Sequence, residues 1–124
     1  SIPFDEVVLE CEVATTEGSE QEIRRAMQKS QERRRITQPL GLPSCGSVFR
    51  NPEGESVGRL IENVGLKGAL CGGAQISERH ANFIVNKGGA KAVEVLSLIH
   101  AASDAVAERY GVELVPEVRF LGFE

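Results

Sequence analysis

Residues 43–52 read Pro43-Ser44-Cys45-Gly46-Ser47-Val48-Phe49-Arg50-Asn51-Pro52. Each proline fixes its own φ and favours extended geometry in the residue before it, and Gly46 permits a sharp bend. The segment therefore holds Ser47 on a stiff support, with Arg50 and Asn51 close to it. This arrangement can place one hydroxyl proton and grip an anionic substrate. The residues alone also fit a commoner arrangement, a rigid loop whose buried serine hydroxyl bonds to backbone.

Length and composition indicate one ordinary globular domain. The chain has 124 residues, of which 41% are hydrophobic and 26% charged, and its net charge of −4 argues against a general nucleic-acid surface. Its cysteines, Cys11, Cys45 and Cys71, lack C-x-x-C spacing, which is typical of reduced thiols in a cytoplasmic protein. No apolar run approaches the ~20 residues that span a bilayer, and no signal-peptide pattern is present, so we expect no membrane partner.

Upstream of the proline-flanked segment, the pattern predicts a strand and then a helix. Residues 4–13 form a β-rich run, and Ser19 followed by Glu22 has the spacing of a capping box. Apolar residues at helical spacing then predict an amphipathic helix over residues 19–35. The basic end of this helix either faces a substrate diphosphate or is a solvated face, and the solvated face is the commoner case.

Downstream, a short helix and a glycine-rich segment follow. Ser56 is placed to cap a helix whose apolar positions are Val57, Leu60, Ile61 and Val64, and Gly65 can end that helix in a left-handed conformation. The glycine-rich residues 65–73 contain neither a G-K-S/T nor a G-x-G-x-x-G motif, which disfavours a phosphate-binding loop.

The second half of the chain contains short strands and a long helix. Strands are predicted at residues 75–76 and 83–86, a helix at residues 90–110 that ends at Gly111, and an edge strand at residues 112–120 that Pro116 interrupts. Polar residues cluster around the two short strands: Gln75, Ser77, His80, Asn82 and Asn86. Their density suits either recognition of a sugar or uracil, or a structural role.

These elements predict an α+β fold without repeated βαβ units. We expect an antiparallel or mixed sheet packed against two main helices, at residues 19–35 and 90–110, plus one short helix. The whole of residues 1–124 is expected to form a single domain.

Five separated blocks of the sequence resemble one enzyme family, in the family's order. They are residues 37–51 (TQPLGLPSCGSVFRN), 58–62 (GRLIE), 65–68 (GLKG), 73–86 (GAQISERHANFIVN) and 116–119 (PEVR). Together they are similar to the C-terminal, substrate-binding domain of UDP-N-acetylenolpyruvylglucosamine reductases. The resemblance extends from about residue 37 to residue 122.

The resemblance implies a function and assigns roles to residues. The family reduces UDP-N-acetylglucosamine enolpyruvate to UDP-N-acetylmuramate for peptidoglycan, with FAD as cofactor and NADPH as reductant. Ser47 matches the family's proton donor. Glu117 matches a catalytic glutamate that binds the substrate carboxylate, a role that would require burial and a nearby anion to keep it protonated. The residues that match or lie near substrate contacts are Asn51, Arg50, His80 and Gln38.

The resemblance also implies a partner domain. The flavin-binding domain of the family lies upstream, and the chain begins at Ser1 without a flavin-contacting motif, so we expect an excised or processed C-terminal piece that is inactive alone. Cys45 stands where the family commonly has alanine, and the sequence belongs with the class that lacks a tyrosine-bearing insertion. The alternative is a stand-alone ligand-binding or interaction module of the same fold without catalysis.

Overall fold

A four-stranded antiparallel sheet lies at the centre of the structure, a computed structural model that describes residues 7–122. Its strands are β1 (Ser44–Ser47), β2 (Leu70–Cys71), β3 (Ala74–Ile76) and β4 (Phe83–Asn86). They are ordered β1-β4-β3-β2, and every neighbouring pair is antiparallel. With three α-helices in the described range, this confirms the predicted α+β class and its antiparallel sheet.

One face of the sheet carries the hydrophobic core. Side chains alternate across a strand, so Ile76 and Ile84, which are opposite each other in register, share one face of the sheet. Both are buried and belong to one cluster with residues of the helices. The β2–β3 turn is closed by Gly72, whose φ is 54°, a left-handed value that glycine adopts without strain. The glycine-rich segment therefore builds turns of the sheet and does not resemble a phosphate loop.

Helix α3 (Ala92–Tyr110) covers that face. Its buried residues are Leu98, Ile99, Ala102 and Val106, which keep the predicted helical spacing. The helix ends where the sequence indicated, because Gly111 adopts φ 65° and its N–H bonds to the carbonyl of Ala107 at 2.8 Å. At the start of α3, the Glu94 carboxylate accepts hydrogen bonds from the backbone N–H groups of Lys91 and Gly73, at 2.9 and 3.0 Å. Glu94 thus ties the helix to the β2–β3 turn.

Helix α2 (Val57–Asn63) packs against α3 and buries Val57, Leu60 and Ile61. Its predicted start is confirmed, but the predicted capping contact is wrong. Ser56 occupies the N-cap position without a side-chain hydrogen bond to the helix. The Oδ1 atom of Asn51 accepts the N–H of Val57 instead, at 3.1 Å. The amide therefore satisfies a donor that the serine was expected to satisfy.

Helix α1 (Glu20–Thr37) forms where it was predicted, but in the described range it does not pack on the sheet as expected. None of its residues is buried, and Ile23 and Met27 are 50% and 56% exposed. The reason is that α3 already covers the apolar face of the sheet, with α2 packed against α3 in the same core. A contact at its C-terminal end comes from Arg79, whose guanidinium donates to the carbonyls of Arg35 and Gln38 at 2.8 and 3.4 Å.

Two predicted strands are absent from the described residues. Residues 7–13 are exposed and belong to no helix or strand, because no other segment pairs with them, while residues 4–6 of that prediction lie outside the described range. Residues 112–120 form a single bridge, between Pro116 and Phe49, since proline supplies no N–H to extend a ladder. No helix within residues 7–122 is long and apolar enough to cross a membrane.

Candidate functional site

Ser47 lies at the end of β1, just after an irregularity in the sheet. Ser44 pairs with Val85 and Ser47 with Phe83, so three steps along β1 match two along β4. The extra residue is accommodated at Gly46, whose φ is 82°. Such a bulge bends the strand and redirects the side chains that follow it.

The Ser47 side chain is exposed, and its hydroxyl makes no hydrogen bond with any residue in the range 7–122. The alternative of a buried serine bonded to backbone is therefore wrong. The hydroxyl remains free to act on a ligand.

The segment after Ser47 is fixed by Asn82, which is 3% exposed. The backbone carbonyl of Asn82 accepts the N–H of Val48 at 2.9 Å. Its side chain bonds to both backbone groups of Phe49: Oδ1 accepts the N–H at 3.0 Å, and Nδ2 donates to the carbonyl at 2.8 Å. Val48 and Phe49 are themselves 1% and 2% exposed. The backbone that follows Ser47 is therefore held on a buried, hydrogen-bonded support.

Glu117 is brought to the same place from the end of the chain. Its N–H donates to the carbonyl of Val48 at 2.8 Å, and the N–H of Arg50 donates to the carbonyl of Val115 at 2.9 Å. The tertiary structure thus joins the segment of Glu117 to the residue next to Ser47. The expected burial of Glu117 is wrong within the described residues, because Glu117 is exposed.

His80 is held in one orientation by three neighbours. Its Nδ1 accepts the backbone N–H of Asn82 at 3.2 Å, which leaves the proton of the neutral ring on Nε2. The ring centroid lies 5.0 Å from that of Phe83, the residue paired with Ser47. Gly58 of α2 lies against the other side of the ring. Desolvation lowers the pKa of His80, and the nearby Lys67 cation lowers it further, while a backbone hydrogen bond opposes the shift. His80 is therefore a neutral donor at physiological pH.

The remaining predicted residues lie around this group. Asn51 and Arg50 are exposed and follow directly from the Phe49 segment, although the amide oxygen of Asn51 also caps α2. Gln38 is linked to this group only indirectly. It is the C-cap residue of α1, and its carbonyl accepts a hydrogen bond from Arg79, the neighbour of His80.

The polar cluster around β3 and β4 is mostly structural. Gln75 Nε2 donates to the carbonyl of Gly68 at 3.1 Å, and Ser77 Oγ accepts the N–H groups of Arg79 and His80 at 3.1 and 3.3 Å. The Asn86 amide oxygen accepts from two backbone N–H groups of the following turn. Together with the buried Asn82, these contacts explain four of the five polar residues that suggested sugar or uracil recognition. His80 keeps its Nε2 atom without a hydrogen-bond partner in the described part of the chain.

Two surface cavities adjoin these residues. The larger has a volume of about 520 Å³ and is lined by residues of the 39–42 loop, β3, β4 and the turn between them: Pro39, Gly41, Leu42, Gln75, Ser77, Glu78, Arg79, Val85 and Lys87. The smaller, about 220 Å³, is lined by Ser56, Gly58, Arg59, Glu62, Arg79, His80 and Ala81. Arg79 lines both cavities, and the smaller one combines two arginines and the His80 ring with the Glu62 carboxylate, so it offers donors and an acceptor to a polar ligand.

The cysteines carry no metal site or disulfide in the described range. Cys11, Cys45 and Cys71 are free thiols, and residues 7–122 contain no group of three or more potential metal ligands. Desolvation raises the pKa of the Cys45 thiol, so the fraction of reactive thiolate near Ser47 is small.

Sequence reasoning missed the residues that support the site from behind. Asn82 is one of five polar residues for which the sequence leaves ligand recognition and a structural role open, and neither Gly58 nor Arg79 is singled out. The contacts of these residues join segments far apart in sequence, so no local pattern could have identified them. The motif blocks that contain them were the available signal.

Comparison with known proteins finds relatives of one family. Residues 38–121 match the family model described as "UDP-N-acetylenolpyruvoylglucosamine reductase, C-terminal domain". The chain is 48% identical over 118 residues to the UDP-N-acetylenolpyruvoylglucosamine reductase of Halalkalibacterium halodurans, covering 95% of this chain and 39% of the relative. It is 60% identical over 89 residues to that of Alkalilimnicola ehrlichii, covering 72% of this chain and 30% of the relative.

A solved structure shares the fold. The crystal structure of the UDP-N-acetylenolpyruvylglucosamine reductase from Thermus caldophilus has a TM-score of 0.64 and 42% sequence identity, covering 83% of this chain and 36% of that one. The chain thus spans less than half the length of these relatives. By the match of the family model to residues 38–121 and the identity to these relatives, the chain belongs to the UDP-N-acetylenolpyruvoylglucosamine reductase family, of which it contains the C-terminal domain.

Proposed function

We propose that this chain is the substrate-binding, proton-donating domain of a flavin-dependent reductase. The reductase converts UDP-N-acetylglucosamine enolpyruvate to UDP-N-acetylmuramate with NADPH, for peptidoglycan synthesis in the cytoplasm. Membership of the family supports the reaction. The observation that carries the assignment of Ser47 is its exposed, unpaired hydroxyl, which follows the Gly46 bulge and precedes a rigidly held backbone.

The proposed chemistry adds a hydride and a proton across the enolpyruvyl double bond. When bound, reduced FAD supplies the hydride to one carbon of that bond. The neighbouring carbon then takes the proton of Ser47 Oγ, and the serine oxygen recovers a proton from water. A serine hydroxyl is a weak acid, so this step needs a strongly basic carbon and a donor already in position. The buried support behind Ser47 provides that position.

The other predicted residues complete a polar surface around the substrate. Glu117 hydrogen-bonds the substrate carboxylate while negative charge develops on it. Neutral His80 donates from Nε2, and Arg50, Asn51 and Gln38 bind the polar and anionic parts of the substrate. Because Glu117 is exposed within residues 7–122, the desolvation that this role needs must come from bound substrate and the flavin domain.

The residues of this chain do not fit the main binding site of the cofactor, and they fit a domain that works beside a flavin-binding domain. Neither cavity contains a glycine-rich phosphate loop at a helix start, and the chain covers 30–39% of the relatives cited above. FAD is therefore assigned to the flavin domain that we expect upstream. The isolated chain is expected to purify colourless and to show no NADPH oxidation with the enolpyruvyl substrate. Absorbance near the flavin bands checks this, and a yellow preparation with stoichiometric FAD would contradict it.

The decisive experiment separates the two half-reactions in the full-length reductase. In the Ser47→Ala variant, flavin reduction by NADPH should be nearly unchanged, since Ser47 takes no part in it. Reoxidation of the reduced flavin by the enolpyruvyl substrate should fall by more than the ~10²–10⁴ typical of losing a general acid. Stopped-flow absorbance measures both rates. Ser30→Ala, an exposed serine of α1, is the matched control and should leave both rates unchanged.

Two further variants test the roles. Ser47→Cys should keep some turnover because a thiol can donate a proton from nearly the same place. Glu117→Gln should slow the same half-reaction, since an amide donates a hydrogen bond but is not an acid. If Ser47→Ala slowed flavin reduction instead, or left reoxidation within a few-fold of wild type, Ser47 would be structural. A domain that bound the substrate without either effect would fit the alternative, a ligand-binding module.

A further inference from the structure

We propose that Asn82 is a positioning residue. Through the backbone of Val48 and Phe49, it fixes the positions of Ser47 and Glu117 relative to each other. The inference rests on the proposed function, because it concerns the geometry of proton donation by Ser47. It assigns to Asn82 a role that is distinct from contact with the substrate.

The Asn82 side chain continues the sheet where the β1–β4 pairing ends. Ser47 and Phe83 form the last pair between the two strands, and Asn82 immediately precedes β4. Beyond that pair, the amide of Asn82 acts like the backbone of a further strand residue. Its Oδ1 accepts the Phe49 N–H at 3.0 Å, and its Nδ2 donates to the Phe49 carbonyl at 2.8 Å.

The segment that Asn82 holds is shared with Glu117. The Val48 N–H donates to the Asn82 carbonyl at 2.9 Å, while the Val48 carbonyl accepts the Glu117 N–H at 2.8 Å. Phe49 also forms the bridge to Pro116 on that side. A displacement of Val48 and Phe49 therefore moves Ser47, which precedes them, and Glu117, which hydrogen-bonds to them, at the same time.

The chemistry of the site requires an amide at position 82. The two Phe49 groups are one donor and one acceptor in a buried place, and an amide is the short side chain that supplies both complementary groups. A buried backbone group without a partner is destabilising, so a side chain that cannot bridge both groups forces the segment to move or to admit water. The Oδ1 and Nδ2 atoms of Asn82 are thus both hydrogen-bonded inside the domain. The residue is 3% exposed, so a substrate cannot reach its amide.

The test is a double-mutant cycle in the full-length reductase. Asn82→Asp keeps the side-chain size and the acceptor, but it sets a carboxylate oxygen against the Phe49 carbonyl. We expect flavin reduction by NADPH to stay within about twofold, whereas reoxidation by the enolpyruvyl substrate falls by about tenfold or more. In the Ser47→Ala background, the loss in reoxidation from the same substitution should be smaller by about threefold or more, because only Glu117 is still being positioned.

A control substitution and a second variant at position 82 complete the double-mutant cycle. Asn63→Asp, at the exposed end of α2, should leave both half-reactions unchanged in either background. If Asn82→Asp did not fold, Asn82→Ser would be used, since a hydroxyl pairs with one Phe49 group at a time. Acidification should partly restore the Asn82→Asp variant relative to wild type at the same pH, because the protonated carboxyl donates to the Phe49 carbonyl.

The outcomes distinguish this inference from the proposed function. An equal loss from Asn82→Asp in both backgrounds, or a loss confined to flavin reduction, would overturn the positioning role while Ser47 remained the donor. If Ser47→Ala alone did not slow reoxidation, the proposed function and this inference would fail together. A strong loss in the wild-type background that becomes clearly smaller in the Ser47→Ala background supports both.

Discussion

The imidazole of His80 lies so close to Gly58 that a Cβ at position 58 would be 2.9 Å from Cε1 and 3.2 Å from Nδ1 of the ring. Gly58 is inside α2, where glycine is unfavourable for the helix itself. Its presence there is explained by the space that the His80 ring requires. A side chain added at position 58 of the short helix would therefore displace the His80 ring.

Gly58→Ala should weaken substrate binding while the fold persists. The added methyl displaces the His80 ring and its Nε2 donor, and the loss of one neutral hydrogen bond, ~0.5–1.5 kcal/mol, corresponds to a Kd increase of roughly twofold to twelvefold. The clash destabilises the domain, but alanine favours the helix by ~0.5–1 kcal/mol and offsets part of it. Calorimetry with the enolpyruvyl substrate measures Kd. Gly18→Ala, near only the flexible end of Ile23, is the control, and an unchanged Kd for Gly58→Ala would refute the coupling.

His80 should remain neutral through the ordinary histidine range. Because desolvation lowers the pKa of the folded ring, the unfolded chain takes up the proton first. The stability contributed by neutral His80 is therefore complete above the unfolded pKa of ~6.5 and is lost as the pH falls from there towards the lower folded pKa. NMR titration of the imidazole should give a midpoint below ~6.5.

His80→Gln should remove that part of the pH dependence and retain substrate binding, since a primary amide also donates. Denaturant unfolding at several pH values between about 5 and 8 measures the change, bracketing the ordinary histidine pKa. His100→Gln, at an exposed position on α3, serves as the matched substitution. A His80 titration midpoint above the ordinary value would mean that the ring binds its ligand as a cation.

Glu94→Gln should change the acid stability of the domain. Hydrogen bonds from the N–H groups of Lys91 and Gly73 lower the pKa of Glu94. The stability they provide is thus present above the unfolded carboxyl value of ~4.3, and it is lost as the pH falls through the lower folded pKa. The variant should have a lower Tm than wild type at neutral pH, and the difference should shrink on acidification. Glu108→Gln, exposed near the end of α3, should show neither effect; a constant Tm difference at all pH values would contradict the assignment.

Gly73→Ala should strongly destabilise the fold. A Cβ at position 73 would lie 2.5 Å from the Gly88 carbonyl oxygen and 2.6 Å from the Ala90 nitrogen, both of which are backbone atoms. Overpacking of this kind typically costs ~1–3 kcal/mol, and here no flexible side chain can move aside. Thermal unfolding measures the loss. Gly41→Ala, whose added methyl would meet nothing within 4 Å, should be nearly neutral, and a similar Tm for both variants would show that the β2–β3 turn can shift.

The helices and the central strands could be predicted from local sequence. Apolar residues at a spacing of three and four indicated α2 and α3, and Gly111 marked the end of α3 because few other residues adopt φ 65° without strain. The β-rich run Phe83–Asn86 indicated β4. The prediction of strands at residues 7–13 and 112–120 was wrong, since β propensity does not tell whether a partner strand is present.

The sequence by itself determined the family, the fold class and the identity of the candidate proton donor, because these depend on residue types in a fixed order. It did not determine what holds that donor in place. Only the tertiary structure decided that the Asn82 amide bonds to Phe49, that Glu117 is joined to Val48, and that the Ser47 hydroxyl has no hydrogen-bond partner within residues 7–122. These relationships are hydrogen bonds between segments distant in sequence, and their partners are chosen by the packing of the whole domain, because a buried donor or acceptor must find a partner wherever the fold supplies one.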